Sequence, residues 1–223
     1  MPLALILICS LLLGCLEPVP TDFQSARTLG KLNLEINGYA NAQLDKPEYS
    51  QVNAGGQVGF GIHKRIDLYA GYSLLYSPPI TQVGIDEDGN GTFESDIWLD
   101  VPYQIWHIAT LGPKISLLKN HLAFYSPIQV YIENSKNAVV LWSPTILGSY
   151  QPIKDRFEVT LGGKLITNFR FESPCFAPKL GFALGKLNKW AIVPELSSLH
   201  CAEYSGFVLS AGLAYSYTFH FDD

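Results

Sequence analysis

From residue 31 onward, apolar residues recur at every second position, and stretches of this pattern are separated by knots of only two or three polar residues. A period of two sends successive side chains to opposite faces of an extended strand. A two- or three-residue connection between two such strands makes an antiparallel hairpin. In "KLNLEINGYANAQ" one face carries Leu32, Leu34, Ile36, Ala40 and Ala42, and the other Lys31, Asn33, Glu35, Asn37, Asn41 and Gln43. The next run sets Val52, Ala54, Val58, Phe60 and Ile62 against Asn53, Gln57, Gly59 and Gly61. The final run sets Phe207, Leu209, Leu213, Tyr215 and Phe219 against Ser210, Gly212, Ser216 and Thr218. No window of useful length follows the helical period.

This rhythm predicts about ten strands, within a range of eight to twelve, at 31–43, 51–62, 66–77, 99–116, 121–133, 139–152, 157–169, 175–186, 190–200 and 205–221. The tight knots ("HKR", "KNH", "KDR" and "LNK") fall at alternate junctions, so all of them lie at one end of the sheet. The longer connections, including a hairpin over 77–98, lie at the other end. Short turns on one rim and long loops on the other describe an all-β, antiparallel up-and-down transmembrane β-barrel. Aromatic residues at 13% and 19 glycines suit that architecture, and a net charge of −5 speaks against a nucleic-acid partner.

Alternation alone does not decide which face points outward. The polar face is rich in glycine (Gly59, Gly61, Gly71, Gly162, Gly181, Gly185, Gly212), which suits a crowded lumen. Aromatics gather toward strand ends, as interface girdles do (Tyr72, Tyr76, Trp190, Tyr215). Both features predict an apolar exterior; a soluble lipocalin-like lipoprotein barrel with an apolar interior is the alternative.

Two stretches resemble known families. "MPLALILICSLLLGC" reads as a signal peptide over 1–14, its apolar run too short to span a bilayer. Its end, "LLGC", resembles the lipobox of bacterial lipoproteins, which implies lipidation at Cys15. Residues 15–30 then read as a periplasmic tether. "SAGLAYSYTFHF" resembles the C-terminal assembly signal of bacterial outer-membrane β-barrel proteins, and the likeness to small porin-like barrels spans 31–221. It implies the bacterial outer membrane as location, with outer-membrane lipid and the barrel assembly machinery as partners.

Candidate chemistry is sparse. A turn at Leu187-Asn188-Lys189 sets a register in which Cys175 lies opposite Cys201, and an oxidising compartment permits a disulfide there. "DEDGNGTFESD" resembles the calcium loop of EF-hands, with Asp86, Asp88, Asn90, Thr92 and Glu94 as ligands, but the twelfth position is Ile97. Calcium is the single cofactor the sequence suggests. Lys31, Glu35, Glu158, Lys164, Lys179 and Glu195 fall on the polar face and predict a lumen ion-pair network. Ser198 and His200 lie two apart on the apolar face, with no acid placed to complete a hydrolase triad, so no enzyme is expected. The expected function is a passive or porin-like outer-membrane component. The alternatives are a surface binding or adhesion module using the 77–98 loop for an external partner, and, last, a lipid-modifying barrel enzyme.

Overall fold

The computed structural model describes residues 21–44, 51–79, 83–85, 95–97, 102–133, 137–168, 174–201 and 208–221. Its strands are β1 (Leu34–Leu44), β2 (Gln51–His63), β3 (Ile66–Ser77), β4 (Val83–Ile85), β5 (Ser95–Ile97), β6 (Gln104–Leu118), β7 (Leu122–Tyr125), β8 (Ile128–Glu133), β9 (Asn137–Trp142), β10 (Thr145–Ile153), β11 (Phe157–Ile166), β12 (Cys175–Lys186), β13 (Trp190–Cys201) and β14 (Val208–Phe219). β7 and β8 are two halves of one stave, as are β9 and β10, because each half pairs along the same neighbour. Counted this way, ten staves close into an antiparallel barrel: β1 pairs with β14, and β3 with β6. β4 and β5 form a separate two-stranded ladder in the β3–β6 connection. The described residues contain no helix.

The predicted hairpins are present in the predicted registers. Tyr150 faces Val159, Leu184 faces Ile192, and Cys175 faces Cys201. Strand ends differ by a few residues, most visibly at the start. Gly30 and Leu32 take positive φ (83° and 62°), and Asn33 N–H bonds to Gly30 O. That turn interrupts the regular strand, so β1 begins only at Leu34, although Leu32 N–H still donates to Gly61 O (2.8 Å) and Asn33 O accepts from Gly61 N–H (2.9 Å).

Of the prolines that lie along the predicted strands, Pro127, Pro144, Pro178 and Pro194 each coincide with a break in pairing, as the missing N–H demands. Pro127 and Pro144 fall in the interruptions between β7 and β8 and between β9 and β10. Pro178 and Pro194 stay inside β12 and β13 but drop out of the ladder between those two strands.

The apolar rows face outward, opposite to a lipocalin-like arrangement. Ile62, Leu68, Leu74, Ile146, Leu161, Leu196 and Leu213 are all exposed. Among the described strand residues, Lys186 at the last position of β12 is the one exposed charged side chain. The opposite face is buried and polar: Asn37, Gln57, Asp67, Lys114, Glu158, Lys164, Lys179 and Glu195 all point into the barrel.

Candidate functional site: a filled lumen

The chain ahead of β1 builds the site. Thr21–Gly30, "TDFQSARTLG", does not hang from the barrel as a tether; it runs inside it. Thr21, Phe23, Gln24 and Ala26 are all buried. Leu29 N–H donates to both oxygens of Asp67 (3.2 and 3.1 Å), near the short-turn rim where β3 begins. Arg27 Nε lies 2.8 Å from Glu158 Oε2, and one Arg27 guanidinium N–H donates to Leu187 O at 2.6 Å. Deeper in, Ala26 N–H donates to Ser149 Oγ (2.8 Å). Deepest, Asn41 donates to Thr21 Oγ1. The segment therefore crosses the lower half of the lumen, from the short-turn rim upward.

Asp22 is the best-held residue of the segment. Its carboxylate lies 2.7 Å from Lys164 Nζ and 3.5 Å from Lys179 Nζ, and Lys179 also meets Glu195 at 3.4 Å. Glu195 in turn accepts the backbone N–H of Asp22 (3.0 Å) and of Phe23 (3.1 Å). Thr145 Oγ1 adds a 3.3 Å bond to Asp22. None of these four ionic side chains exceeds 6% exposure. Charges removed from water this completely are tolerated only when paired and hydrogen-bonded, and here each one is.

A second buried pair, Lys114 with Asp67 (3.6 Å), sits lower, with Lys114 Nζ also 2.9 Å from Tyr69 OH and 3.3 Å from Gln24 Oε1. Apolar contacts complete the seat: Phe23 stacks on Tyr39 at 5.2 Å between centroids, and Ala26 packs with Tyr69, Ala123, Tyr125 and Leu147. Two wall glycines make room for the segment. A Cβ at Gly212 would stand 2.6 Å from the tip of Phe23, and one at Gly61 only 1.7 Å from Gly30 O. Beside the segment, at the short-turn mouth, a cavity of about 300 Å³ remains, lined by Glu35, Asn37, Lys114, Thr160, Ser216 and others.

The upper half of the lumen is filled differently. Leu75, Trp106, Ile108 and Tyr131 form one inward cluster, and Ile166, Ala177 and Leu199 another, with Leu141 touching both. The second cluster includes the Cys175–Cys201 disulfide that ties β12 to β13 at the long-loop end.

Of the residues expected in the lumen, Glu158, Lys164, Lys179 and Glu195 are buried there together, and Glu35 is half-buried on the same face. Lys31 is not among them. It is exposed in the turn ahead of β1, because the positive φ at Leu32 ends the alternation there. Sequence reasoning missed Asp67 and Lys114, although both keep the inward parity of their strands, and it missed Asp22 and Arg27 altogether. Ser198 Oγ and His200 Nε2 are 3.1 Å apart on the outside of β13. Cys15 and the calcium-type residues Asp86, Asp88, Asn90, Thr92 and Glu94 lie outside the described residues.

No family model matches the sequence, and no curated protein matches it. Solved structures similar to the chain are bacterial outer-membrane β-barrels. The N-terminal β-barrel domain of Pseudomonas aeruginosa OprF is 11% identical, over 85% of this chain and 99% of that one, with a TM-score of 0.36. The translocator domain of the autotransporter NalP from Neisseria meningitidis is 10% identical, over 85% and 90%, with a TM-score of 0.39. Ail, the attachment invasion locus protein of Yersinia pestis, solved with the heparin analogue sucrose octasulfate, is 10% identical, over 85% and 99%, with a TM-score of 0.34. At scores this low the architecture rests on the strand ladders themselves.

Proposed function

We propose that this chain is a small outer-membrane β-barrel whose lumen is closed by its own N-terminal segment, a passive membrane component rather than an open pore. The observation that carries the reading is the exterior: apolar side chains on every stave and, among the described residues, no exposed Lys, Arg, Asp or Glu between the rims. Each Lys or Arg at mid-bilayer on a barrel's lipid face costs about 2–4 kcal/mol, so a charge-free belt is what lipid requires and what water does not. The length fits as well. β2, β3, β12 and β13 have 13, 12, 12 and 12 residues. At about 3.3 Å per residue and a tilt of about 40°, they cover roughly 30 Å, the hydrocarbon thickness of a bilayer. In this reading the short-turn rim faces the periplasm and the long loops face outward. Signal-peptide removal at 1–14 and lipidation of Cys15 belong to the same proposal, as does calcium at the 77–98 hairpin.

Fractionation and bilayer recording test the reading together. The full chain should sediment with outer membranes, migrate faster on gels before heating than after, and show no steady conductance in planar bilayers. Recovery as a soluble protein defeats the membrane assignment. Steady ohmic channels from the intact chain defeat the closed lumen while leaving the membrane assignment in place.

A further inference from the structure

The cations of this chain are not spread evenly over it. The β2–β3 turn exposes Lys64 and Arg65, and the β6–β7 turn Lys119. The β10–β11 turn exposes Lys154 and Arg156, and the β12–β13 turn Lys186 and Lys189. Lys31 is exposed beside them, just ahead of β1. Against these eight cations the described residues of the same rim expose one acid, Asp155. The other end has the opposite sign. Residues 78–103, which join β3 to β6, hold Asp86, Glu87, Asp88, Glu94, Asp96 and Asp100 and no Lys or Arg.

We infer that the short-turn rim is a docking surface for the headgroups of anionic phospholipid, and that it holds the barrel in one leaflet by its phosphates. The proposal rests on the membrane reading above and adds the lipid partner to it. Three features argue for that occupant. The cations begin where the apolar belt ends: Lys186 follows Leu184 directly along the outward row of β12, and Lys154 follows the exposed Ile153. They recur on every tight turn, so they follow the circumference as a lipid annulus does, rather than forming one patch for a compact partner. Among the described residues Asp155 is the single exposed acid of that rim, while Asp67 and Glu158 near it are buried and turned inward. The attraction of a basic side chain to an anionic surface decays over a Debye length, so the proposal carries a salt signature.

Trp190 supplies a local probe. It lies one residue from Lys189, pairs with Lys186 across the turn, and shares the outward face with Ile192. The full chain is inserted into two sets of vesicles, one with acyl-brominated phosphatidylglycerol and one with acyl-brominated phosphatidylcholine, matched otherwise. The Trp190 contribution is the difference between the parent chain and Trp190→Phe. At low salt the expected local preference for phosphatidylglycerol is about fivefold per neighbouring cation, and it should shrink at high salt. The pair Lys186→Gln and Lys189→Gln should abolish it, whereas Lys64→Gln with Arg65→Gln, on a distant turn, should leave it intact. Equal quenching by the two lipids in vesicles where the gel shift shows insertion overturns the proposal. So does a preference that survives the Lys186 and Lys189 changes. Failure to insert into either vesicle defeats the membrane reading itself, and this inference with it.

Discussion

The lower and upper halves of the lumen are closed by different means. The lower half is occupied by a strand-free piece of chain, Thr21–Gly30, held by ion pairs and backbone N–H groups, with Phe23 and Ala26 as its buried apolar anchors. The upper half is occupied by side chains of the staves themselves, Leu75, Trp106, Ile108, Tyr131, Ile166 and Leu199. The difference is one of detachability. A stave side chain leaves the lumen only if the barrel opens. The segment can leave while every ladder stays intact, because the residues that seat it lie on strands paired independently of it. A buried ion pair contributes little net stability compared with an apolar replacement, yet breaking one side of it is costly. The lower half therefore specifies its occupant by charge, and the upper half simply excludes water.

The sharpest way to break this contrast is Asp22→Ala. It takes from Lys164 its 2.7 Å carboxylate contact and leaves Lys179 with Glu195, in a site that admits almost no water. Removing one partner of a buried pair costs about 3–5 kcal/mol, and here that cost falls on seating of the segment. The expected outcome is a barrel that keeps its gel shift but becomes cleavable by trypsin after Arg27, which in the parent chain is held against Glu158. Continued protection of Arg27 would show that the ion pairs do not hold the segment. Leu75→Ala probes the other half. Leu75 has no exposure, and a Leu-to-Ala cavity costs about 2–5 kcal/mol. This loss should appear in urea unfolding of the whole barrel in detergent, with Arg27 still protected. If Leu75→Ala exposes Arg27, the two halves are coupled and the distinction fails.

The sequence made these halves unequally legible. Strand alternation and turn length determined the staves and their registers, since a one-residue slip would move every side chain to the other face, while the glycines of the polar row and the aromatics at strand ends gave the outward direction. Cys175 and Cys201 could be paired from turn length alone, because a hairpin register propagates rigidly from its turn. The segment was illegible for the opposite reason. "TDFQSARTLG" has no periodicity, and a polar stretch beside an apolar leader reads as a tether. Its signal lay elsewhere, in charges on the inward rows. Lys114 and Asp67 sit at inward parity as surely as Lys164 does, and a lumen that buries so many charges must pair all of them. Lys31 was misplaced by the same local logic, because alternation was carried through a turn whose positive φ at Leu32 no side-chain pattern announces.

Reducing the disulfide sharpens the contrast from the upper side. The bond closes a loop with a sequence separation of 26, which places its contribution at about 3.5 kcal/mol in a chain-entropy account. Cys175→Ser with Cys201→Ser should lower the unfolding free energy of the barrel, read from urea titration, by that much and leave trypsin resistance at Arg27 unchanged. Loss of resistance at Arg27 would mean that the long-loop end governs the seat of the segment from a distance.

Gly212→Ala asks for the least and discriminates the most finely. Gly212 belongs to β14, pairs with Asn41 and Glu195 on either side, and carries no charge. Its added Cβ would meet the Phe23 ring tip and Asn41 Cβ, both at 2.6 Å. The ring belongs to the segment and can swing away, while Asn41 belongs to the wall. Overpacking of this kind costs about 1–3 kcal/mol. If the segment is the detachable part, the strain against the ring is relieved there, while the contacts with Asn41 Cβ and Ala40 O (3.0 Å) stay in the wall. Arg27 then becomes modestly more cleavable, with a small fall in the unfolding midpoint of the barrel beside it. A shifted midpoint with Arg27 still protected would mean that the wall yields before the segment, and that the lower half is as integral to the barrel as the upper.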